Sequence, residues 1–484
     1  MNDILDHDAC YRAVCARDAR FDGRFFTAVK TTRVYCRPVC PAPTPLPENV
    51  VFFPTAAAAQ EAGFHPCLRC RPETAPYMGA WRGTSNTVSR ALGLIELGAL
   101  DDGNVETLAG RLGVGERQLR RLFHRHIGAS PVGVAQTRRV LLAKQLIHET
   151  DLSLAEIAFS AGFGSIRRFN ETFLNLFGKP PRALRQRSVE SPKGRCGDRI
   201  SLRLAYQPPY DWQSIEEFFR RRAIAGVEVV EPGHYRRAIQ VDGVHGILSV
   251  RPSAGNALDV TVRIARLSAL PAIIARVRRM FDLTADPTVI NAHLSEDPVL
   301  APLVQARPGL RVPGAWDGFE AAIRAVLGQQ ISVPAAVRLA GRLAATHGDV
   351  LAKSEDGLTH VFPSPEVLAV ADMSVLGMPG RRKQTLAAVA RAVLADRHMF
   401  ETGGELDDAV RRLREIPGIG EWTAHYIALR QLHEPDAFPA ADIGLIRAME
   451  ALEGRPYSPA ALLDRSKSWR PWRAYAAQHL WATG

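Results

Sequence analysis

The chain has 484 residues, too many for one hydrophobic core, so several domains are expected. It carries 61 Lys and Arg against 50 Asp and Glu, and the resulting net charge of +11 favours an anionic partner such as nucleic acid. The sequence contains no long apolar run, and its first ten residues lack a signal-peptide pattern. It therefore predicts a cytoplasmic protein without a membrane partner.

Four of the seven cysteines form two close pairs near the start of the chain. Cys36 and Cys40 have three residues between them, and Cys67 and Cys70 have two. In a cytosolic protein this spacing favours a metal site over disulfides, and four thiolates suit tetrahedral zinc. The sequence predicts Zn²⁺ as a cofactor, and a purely structural zinc site remains one interpretation. The other cysteines are interpreted as ordinary thiols: Cys10, Cys15 and Cys196.

Residues 28–73, AVKTTRVYCRPVCPAPTPLPENVVFF through AGFHPCLRCRPE, resemble the N-terminal domain of Ada, a small zinc-binding α/β domain. We place this domain at residues 1–78. The resemblance implies that Cys36 also accepts a methyl group from alkylated DNA phosphotriesters, since a zinc-bound sulfur stays deprotonated and nucleophilic. Four arginines near the cysteines are candidates to hold the DNA backbone, or belong to a solvated basic surface: Arg33, Arg37, Arg69 and Arg71.

Residues 84–187 are predicted to be helical, and one pattern occurs twice. An apolar stripe ending at Leu112 is followed by a turn at 113–115 and a basic helix from Arg117. A second stripe, a turn at 162–164 and the helix SIRRFNETFLNLFG repeat the arrangement. A stripe, a glycine turn and a basic helix predict a helix-turn-helix, whose second helix enters the major groove.

The tandem arrangement, ending in AGFGSIRRFNETFLNLFGKPPRALR, resembles the all-α DNA-binding domain of the AraC family. The candidates for DNA contact are Arg117, Arg120, Arg121, Arg167, Arg168 and Asn170. The phenylalanines are expected in the core: Phe163, Phe169, Phe173 and Phe177. A polar stretch at 188–198 is predicted to be a linker. Ada continues into a second methyltransferase domain with a Pro-Cys-His-Arg site, whereas this chain has Cys196 in GRCGD, so no O6-methylguanine transfer is expected.

Residues 199–300 contain five short alternating runs and two amphipathic helices, which predict an α+β domain with an antiparallel sheet. This stretch, with QPPYDW at 207–212, resembles the N-terminal domain of AlkA. We assign it a scaffold role.

Residues 301–484 are predicted to be all-α. The run IPGIG at 416–420 leads into an apolar helix, so Gly418 and Gly420 would form a tight turn whose N–H groups can approach a phosphate. This pattern resembles a helix-hairpin-helix, a motif that binds the DNA backbone.

Trp422 and Tyr426 follow the turn at helical spacing, and Asp442 lies one loop later. Together they resemble the AlkA branch of the helix-hairpin-helix DNA glycosylases, the 3-methyladenine glycosylases. The resemblance implies that Asp442 is catalytic and that Trp422, Tyr426 and Trp481 line the pocket for the flipped base. It matches Gln330 to a family leucine that wedges into the gap left in the duplex. Other interpretations are a helix N-cap for Asp442, core packing for the aromatic residues and a helix-packing turn for Gln330.

A base alkylated at N3 or N7 is cationic and already a good leaving group, so an electron-rich pocket and a carboxylate suit its removal. We expect a fused protein that excises 3-methyladenine- and 7-methylguanine-type bases, accepts phosphotriester methyl groups on Cys36 and regulates transcription. Bifunctional members of the superfamily have a lysine at the position of Trp422, so a monofunctional glycosylase is expected.

Two alternatives remain. One is a transcription regulator whose glycosylase part only binds DNA, and the other is a zinc-stabilised DNA-binding protein without methyl transfer. The expected partners are alkylated duplex DNA, a promoter site and RNA polymerase, and the chain is expected to be a monomer in the bacterial nucleoid.

Overall fold

The computed structural model describes residues 6–76, 86–101, 103–185, 199–400 and 405–483. The predicted linker, with Cys196, lies outside these residues. The chain forms two compact units, one of Met1–Gln207, Ser253–Ala275 and Leu283–Ala285, the other of Pro208–Pro252, Arg276–Asp282 and Asp286–Gly484. Across the described ranges, every helix is too short or too polar to cross a membrane.

The first unit begins with a small α/β domain. Its helices are α1 (His7–Cys15) and α2 (Ala56–Glu61), and its strands are β1 (Phe26–Val29), β2 (Val34–Cys36), β3 (Val50–Phe53) and β4 (His65–Pro66). The sheet order is β3-β1-β2-β4; β1 is antiparallel to both β2 and β3, and β4 is parallel to β2. Phe26, Tyr35 and Phe64 pack in its core. The sheet brings the end of β2, at Cys36, beside the loop that follows β4.

Within the described residues from 86 to 185, seven helices follow, and they include the predicted tandem motifs. They are α3 (Asn86–Glu96), α4 (Val105–Arg111), α5 (Glu116–His126), α6 (Pro131–Glu149), α7 (Leu154–Ser160), α8 (Ile166–Phe177) and α9 (Pro181–Leu184). Ser153 and Glu156 form a capping box at the start of α7, and Gly178 ends α8 in the left-handed conformation. Helices α4 and α5 form the first motif, and α7 and α8 the second. The predicted helix-turn-helix fold is confirmed.

The five predicted strands are all present. They are β5 (Arg199–Ala205), β6 (Glu228–Glu231), β7 (His234–Val241), β8 (Val244–Ser253) and β9 (Ala257–Ile264). In the first unit β5 and β9 form an antiparallel ladder, in which Leu202 pairs with Val260. In the second unit β6, β7 and β8 form an antiparallel meander. Burial alternates along β5, as the sequence pattern requires.

The remaining elements are mainly helical. The helices are α10 (Trp212–Arg220), α11 (Leu270–Met280), α12 (Pro287–Leu294), α13 (Ala301–Ala306), α14 (Gly318–Leu327), α15 (Val333–His347), α16 (Pro365–Leu368), α17 (Gly380–Ala395), α18 (Leu406–Arg414), α19 (Glu421–Arg430), α20 (Ile443–Glu453), α21 (Pro459–Arg465) and α22 (Arg473–Trp481). A short hairpin of β10 (Val350–Glu355) and β11 (Leu358–His360) interrupts them. Helix α14 packs against α15, α17 and α19 and is buried along nearly its whole length.

Buried ion pairs fix α14 against the sheet of the second unit. Glu320 on α14 accepts from Arg237 on β7 at 2.7 Å, and Arg324, one turn later, pairs with both Glu320 and Glu228. All four side chains are largely buried, so removing one partner would leave an uncompensated charge. The network holds the helix that leads directly to Gln330.

Candidate active site

The helix-hairpin-helix consists of α18, the turn at 415–420 and α19, and the two helices pack against each other. Gly418 has a φ of +91°, and a Cβ at this position would lie 1.9 Å from Thr385 Oγ1 on α17. Only glycine satisfies both constraints. Gly420 occupies the N-cap position of α19. Because glycine has no side chain, no side-chain hydrogen bond caps this helix. The first backbone N–H groups of α19 therefore lie at an exposed turn, and they carry the partial positive charge of a helix N-terminus.

Asp442 is the N-cap of α20, and four N–H groups donate to its carboxylate. Its Oδ1 accepts from Gly444 N at 2.9 Å, Leu445 N at 3.1 Å and Trp481 Nε1 at 2.9 Å. Its Oδ2 accepts from Trp422 Nε1 at 2.9 Å. The backbone bonds stabilise the helix start, whereas the two indoles fix the carboxylate among aromatic rings. The N-cap interpretation of Asp442 is confirmed, and the same geometry leaves its carboxylate beside Trp422 and Trp481.

Of the three aromatic residues predicted for the base pocket, Tyr426 contacts the other two. The rings of Trp422 and Tyr426 are stacked, with centroids 5.3 Å apart and planes 14° apart. Trp481, at the end of α22, lies edge-on to Tyr426 of α19, with ring centroids 6.5 Å apart. All three side chains are half-buried, so they line an accessible surface instead of filling the core. Gly444 lets the Trp481 ring lie close to the start of α20, since a Cβ at Gly444 would lie 3.3 Å from Trp481 Cδ1.

Sequence reasoning missed two basic residues and one aromatic residue beside these rings. The Arg430 guanidinium carbon lies 4.5 Å from the ring centre of Phe218, 5.1 Å from Trp481 and 5.5 Å from Tyr426. The guanidinium carbon of Arg222 lies 4.1 Å from the centre of the same Phe218 ring. Phe218 lies on α10 and Arg222 just after it, a few residues beyond the QPPYDW segment. This position is the only feature of the sequence that could have indicated these two residues.

The side chains of Arg430 and Arg222 make the surroundings of Tyr426 electropositive. Burial alone would raise the pKa of the Tyr426 hydroxyl, but the charges of Arg430 and Arg222 and their hydrogen bonds more than offset it, and the pKa is lowered. Burial lowers the pKa of Arg430 to about 10, so this side chain is still protonated at neutral pH. His425, on α19, has a pKa lowered by burial and stays neutral near pH 7.

Gln330 lies in the turn between α14 and α15, is exposed, and has a φ of +58°. A left-handed backbone is unfavourable for a residue with a Cβ, so the surrounding turn must impose it. The preceding residue supplies an anchor: Gln329 Nε2 donates to Gly418 O and to Thr423 Oγ1, both at 3.1 Å. The exposed tip thus carries Gln330 next to the helix-hairpin-helix.

The four predicted zinc ligands converge. The sulfur atoms of Cys36, Cys40, Cys67 and Cys70 all lie within 4.8 Å of one another. Two backbone N–H groups, of Arg37 and Arg69, donate to Cys70 Sγ and Cys67 Sγ at 3.4 and 3.3 Å. Hydrogen bonding from Cys36 lowers the pKa of Cys40 to about 7. Four convergent sulfurs with N–H···S support fit a tetrahedral zinc ion.

The arginines around this centre differ in their surroundings. Arg37 is half-buried and forms an ion pair with Asp22, and it also donates to Thr74 Oγ1 at 2.6 Å. Arg71 pairs with Glu73 at 3.1 Å and with Glu149 at 2.8 Å. These two guanidinium groups act within the protein, so they are poor candidates for holding the DNA backbone. Arg33 lies over the ring of Phe64 at 5.4 Å, and Arg69 is exposed.

A buried lysine of the helix-turn-helix region contacts residues 67–73, the segment that carries the last two of the four zinc-site cysteines and is here called the zinc loop. Lys144, on α6, is fully buried, and its Nζ donates to Cys67 O at 2.9 Å and to Glu73 Oε2 at 2.7 Å. The Glu73 side chain is 1% exposed. The zinc loop and the longest helix of the helix-turn-helix region therefore share one buried ion pair.

The six predicted DNA-contact residues of this region are all exposed on α5 and α8. Two of them also form exposed ion pairs one turn away, Arg120 with Glu116 at 2.6 Å and Arg167 with Glu171 at 2.8 Å. Such pairs contribute little and can exchange for a phosphate. Phe163, Phe169 and Phe173 are buried as expected, and Phe177 is half-buried.

Three family models match the chain: the metal binding domain of Ada over residues 9–73, a helix-turn-helix domain over 108–187 and the AlkA N-terminal domain over 201–317. A DNA-3-methyladenine glycosylase 2 of Escherichia coli is 34% identical over 58% of this chain and 96% of its own length. A 3-methyladenine DNA glycosylase from Archaeoglobus fulgidus covers 58% of this chain and 97% of its own, with a TM-score of 0.52 and 23% identity, which shows a shared fold.

A relative from Mycobacterium tuberculosis matches over almost the entire length of both proteins. It is a probable bifunctional transcriptional activator/DNA repair enzyme AlkA, 43% identical over 482 residues, which cover 99% of this chain and 96% of the relative. The four-cysteine centre, the tandem helix-turn-helix and the Asp442 site all fall within the aligned length. The chain belongs to the family of bifunctional transcriptional activator/DNA repair enzymes.

Proposed function

We propose that this protein excises alkylated bases from duplex DNA as a monofunctional glycosylase and accepts methyl groups from DNA phosphotriesters on Cys36. The observation that carries the first activity is the position of Asp442, held by four N–H donors among three aromatic rings. A carboxylate fixed in this way cannot turn away to solvent. It stabilises positive charge that develops on the deoxyribose as the base leaves, and it orients the attacking water.

The aromatic rings provide the surface on which the extruded base stacks. Extrusion costs a few kcal/mol, and least for a damaged base, so lesions are favoured before any contact in the pocket. Gly418 and Gly420 hold the phosphate backbone at the start of α19, and Gln330 fills the gap in the duplex. A planar amide on a left-handed turn takes the place of the leucine expected from the AlkA resemblance.

The second activity rests on the convergence of the four cysteine sulfurs. Zinc held by Cys36, Cys40, Cys67 and Cys70 would keep the sulfurs deprotonated and therefore nucleophilic. The Cys36 sulfur, half-buried at the end of β2, is the methyl acceptor. The tandem helix-turn-helix then reads a promoter, with α5 and α8 as the groove-entering helices. We place the protein on chromosomal DNA in the cytoplasm, as a monomer that acts on RNA polymerase at that promoter.

One assay separates this function from a regulator that only binds DNA. Duplex DNA treated with a methylating agent is incubated with the full chain, and free bases are separated and identified. Release of 3-methyladenine and 7-methylguanine is expected, and binding without release contradicts the glycosylase. In the same reaction, mass spectrometry of the peptide that contains Cys36 should find one added methyl group; an unmodified Cys36 after exposure to methyl phosphotriesters leaves a structural zinc site.

A further inference from the structure

The base pocket contains a fixed cation of its own. Arg430 is 5% exposed and lies against Phe218, Tyr426 and Trp481. Its Nη1 donates to Pro313 O at 2.9 Å and to Gln478 Oε1 at 3.2 Å. These two bonds prevent the guanidinium from withdrawing when a base enters. Its Nε finds no hydrogen-bond partner among the described residues, which leaves one buried donor to be accounted for.

We propose that Arg430 is a specificity-determining residue of the base pocket that favours neutral damaged bases relative to cationic ones. The proposal rests on the base excision proposed above and names the substrate class of that site. A pocket built from aromatic rings alone would favour cations. The Arg430 guanidinium lies within 5.5 Å of the ring centres of Phe218, Tyr426 and Trp481 and already supplies a positive charge to these rings, so an entering cationic base meets repulsion as well as attraction.

The chemistry of departure differs between the two classes of base. In both, the bond between C1′ and the base nitrogen breaks, its electron pair goes to the base, and a water oxygen forms the new bond to C1′ while its proton passes by way of Asp442 to solvent. A cationic base becomes neutral as it leaves. A neutral base gains negative charge and is afterwards protonated by solvent. A fixed cation beside the base stabilises the transition state only in the second case.

A second cation acts in the same direction. Arg222 lies over Phe218 at 4.1 Å, and although burial alone would raise the pKa of the Tyr426 hydroxyl, the charges of Arg430 and Arg222 lower it. The Asp442 carboxylate is the opposing charge, and it binds the indoles of Trp422 and Trp481. Positive charge is thus concentrated beside Phe218 and Tyr426 and negative charge beside Trp422, while Trp481 contacts both Arg430 and Asp442. This separation matches a leaving base that becomes negative and a sugar that becomes positive.

The test compares two lesions in one duplex sequence, 7-methylguanine as the cationic base and hypoxanthine as the neutral base, under single-turnover conditions with the full chain. The wild type should release both. Arg430→Met should lower hypoxanthine release relative to 7-methylguanine release by about tenfold, equivalent to about 1.4 kcal/mol. Arg430→Lys, which keeps the charge, should restore the ratio. Because the ratio is internal to each protein, a lower folded fraction does not change it.

Each contrary result has a distinct meaning. An unchanged ratio in Arg430→Met, or release of 7-methylguanine alone by the wild type, overturns the role of Arg430 and leaves the glycosylase intact. Release of neither base overturns the proposed function itself, and this inference with it. If Arg430→Met does not fold, the half-buried Arg222→Met decides by the same ratio: a shift towards 7-methylguanine supports the proposal and no shift overturns it.

Discussion

Gln329 Nε2 donates a hydrogen bond to the carbonyl oxygen of Gly418 at 3.1 Å. This bond links the turn that carries Gln330 to the turn predicted to hold the DNA backbone. The two turns lie 89 residues apart in the chain, and Thr423 Oγ1 strengthens the link at 3.1 Å. The turn predicted to enter the duplex and the turn predicted to hold its backbone are therefore positioned together.

Gln330→Gly should separate backbone geometry from the role of the side chain. Glycine accepts a φ of +58° without the cost of a Cβ, so thermal stability should be equal or slightly higher. Excision from a matched duplex should fall several-fold, because nothing fills the gap left by the flipped base. Gln330→Leu is the control, and it should retain activity as an apolar wedge. Equal excision by the glycine variant and the wild type would show that Gln330 is only a turn residue.

Trp422 should make the enzyme incapable of strand cleavage. The indole at this position donates to Asp442 and offers no amine for a Schiff base. We expect released base and an intact abasic strand, measured on a denaturing gel before and after alkali. Borohydride added during turnover should trap no covalent DNA adduct, and a trapped adduct would contradict the assignment.

Lys144→Met should destabilise the first unit. The substitution leaves Glu73, 1% exposed, without its buried cation, and such losses cost about 3–5 kcal/mol. The midpoint of thermal unfolding should fall, with zinc released at lower temperature. Lys467→Met is the matched control, because its ion pair with Asp464 is exposed and worth about 0–1 kcal/mol. Equal unfolding midpoints for the two variants would contradict the importance of the buried pair.

Methylation of Cys36 should strengthen DNA binding. Zinc with four thiolates has a formal charge of −2 (2 − 4), and conversion of one thiolate to a thioether leaves −1 (2 − 3). Weaker repulsion of nearby phosphates should raise affinity about tenfold to a hundredfold, about 1.4–2.8 kcal/mol, and more at low salt.

The affinity is measured on the full chain carrying Asp442→Asn, methylated and unmethylated, across a salt series. Zinc content is measured in parallel, and Cys15→Ser excludes methylation of that exposed thiol. Equal affinities at every salt concentration would exclude a switch. Loss of zinc upon methylation would replace the charge argument with local unfolding.

Local patterns made much of the fold predictable. Alternating apolar and polar residues predicted β5, and a glycine turn between an apolar stripe and a basic helix predicted both helix-turn-helix motifs. A family resemblance predicted the aromatic residues of the base pocket, and the fold brings Tyr426 into contact with Trp422 and Trp481. Contacts between distant residues were invisible: Phe218 meets Arg430, and Lys144 meets Glu73, only after the chain has folded. The β10–β11 hairpin was missed because its first strand is mostly exposed and its apolar and polar residues do not alternate.

We propose that Asp442 acts on the transition state of base release and not on DNA binding. Asparagine is also a good N-cap, so Asp442→Asn should preserve the start of α20, whereas Asp442→Ala loses both the cap and the charge. Without the anion, duplex binding should be equal or slightly tighter, and the chemical step should slow by orders of magnitude.

The decisive measurement is the single-turnover rate of base release by Asp442→Asn, with duplex affinity titrated at the same salt concentration. We expect a rate reduced by orders of magnitude at an affinity equal to or slightly above that of the wild type. If Asp442→Asn instead loses affinity and rate in parallel, in the way expected of Asp442→Ala through disruption of α20, the result contradicts a role in the transition state and leaves Asp442 with the N-cap role alone.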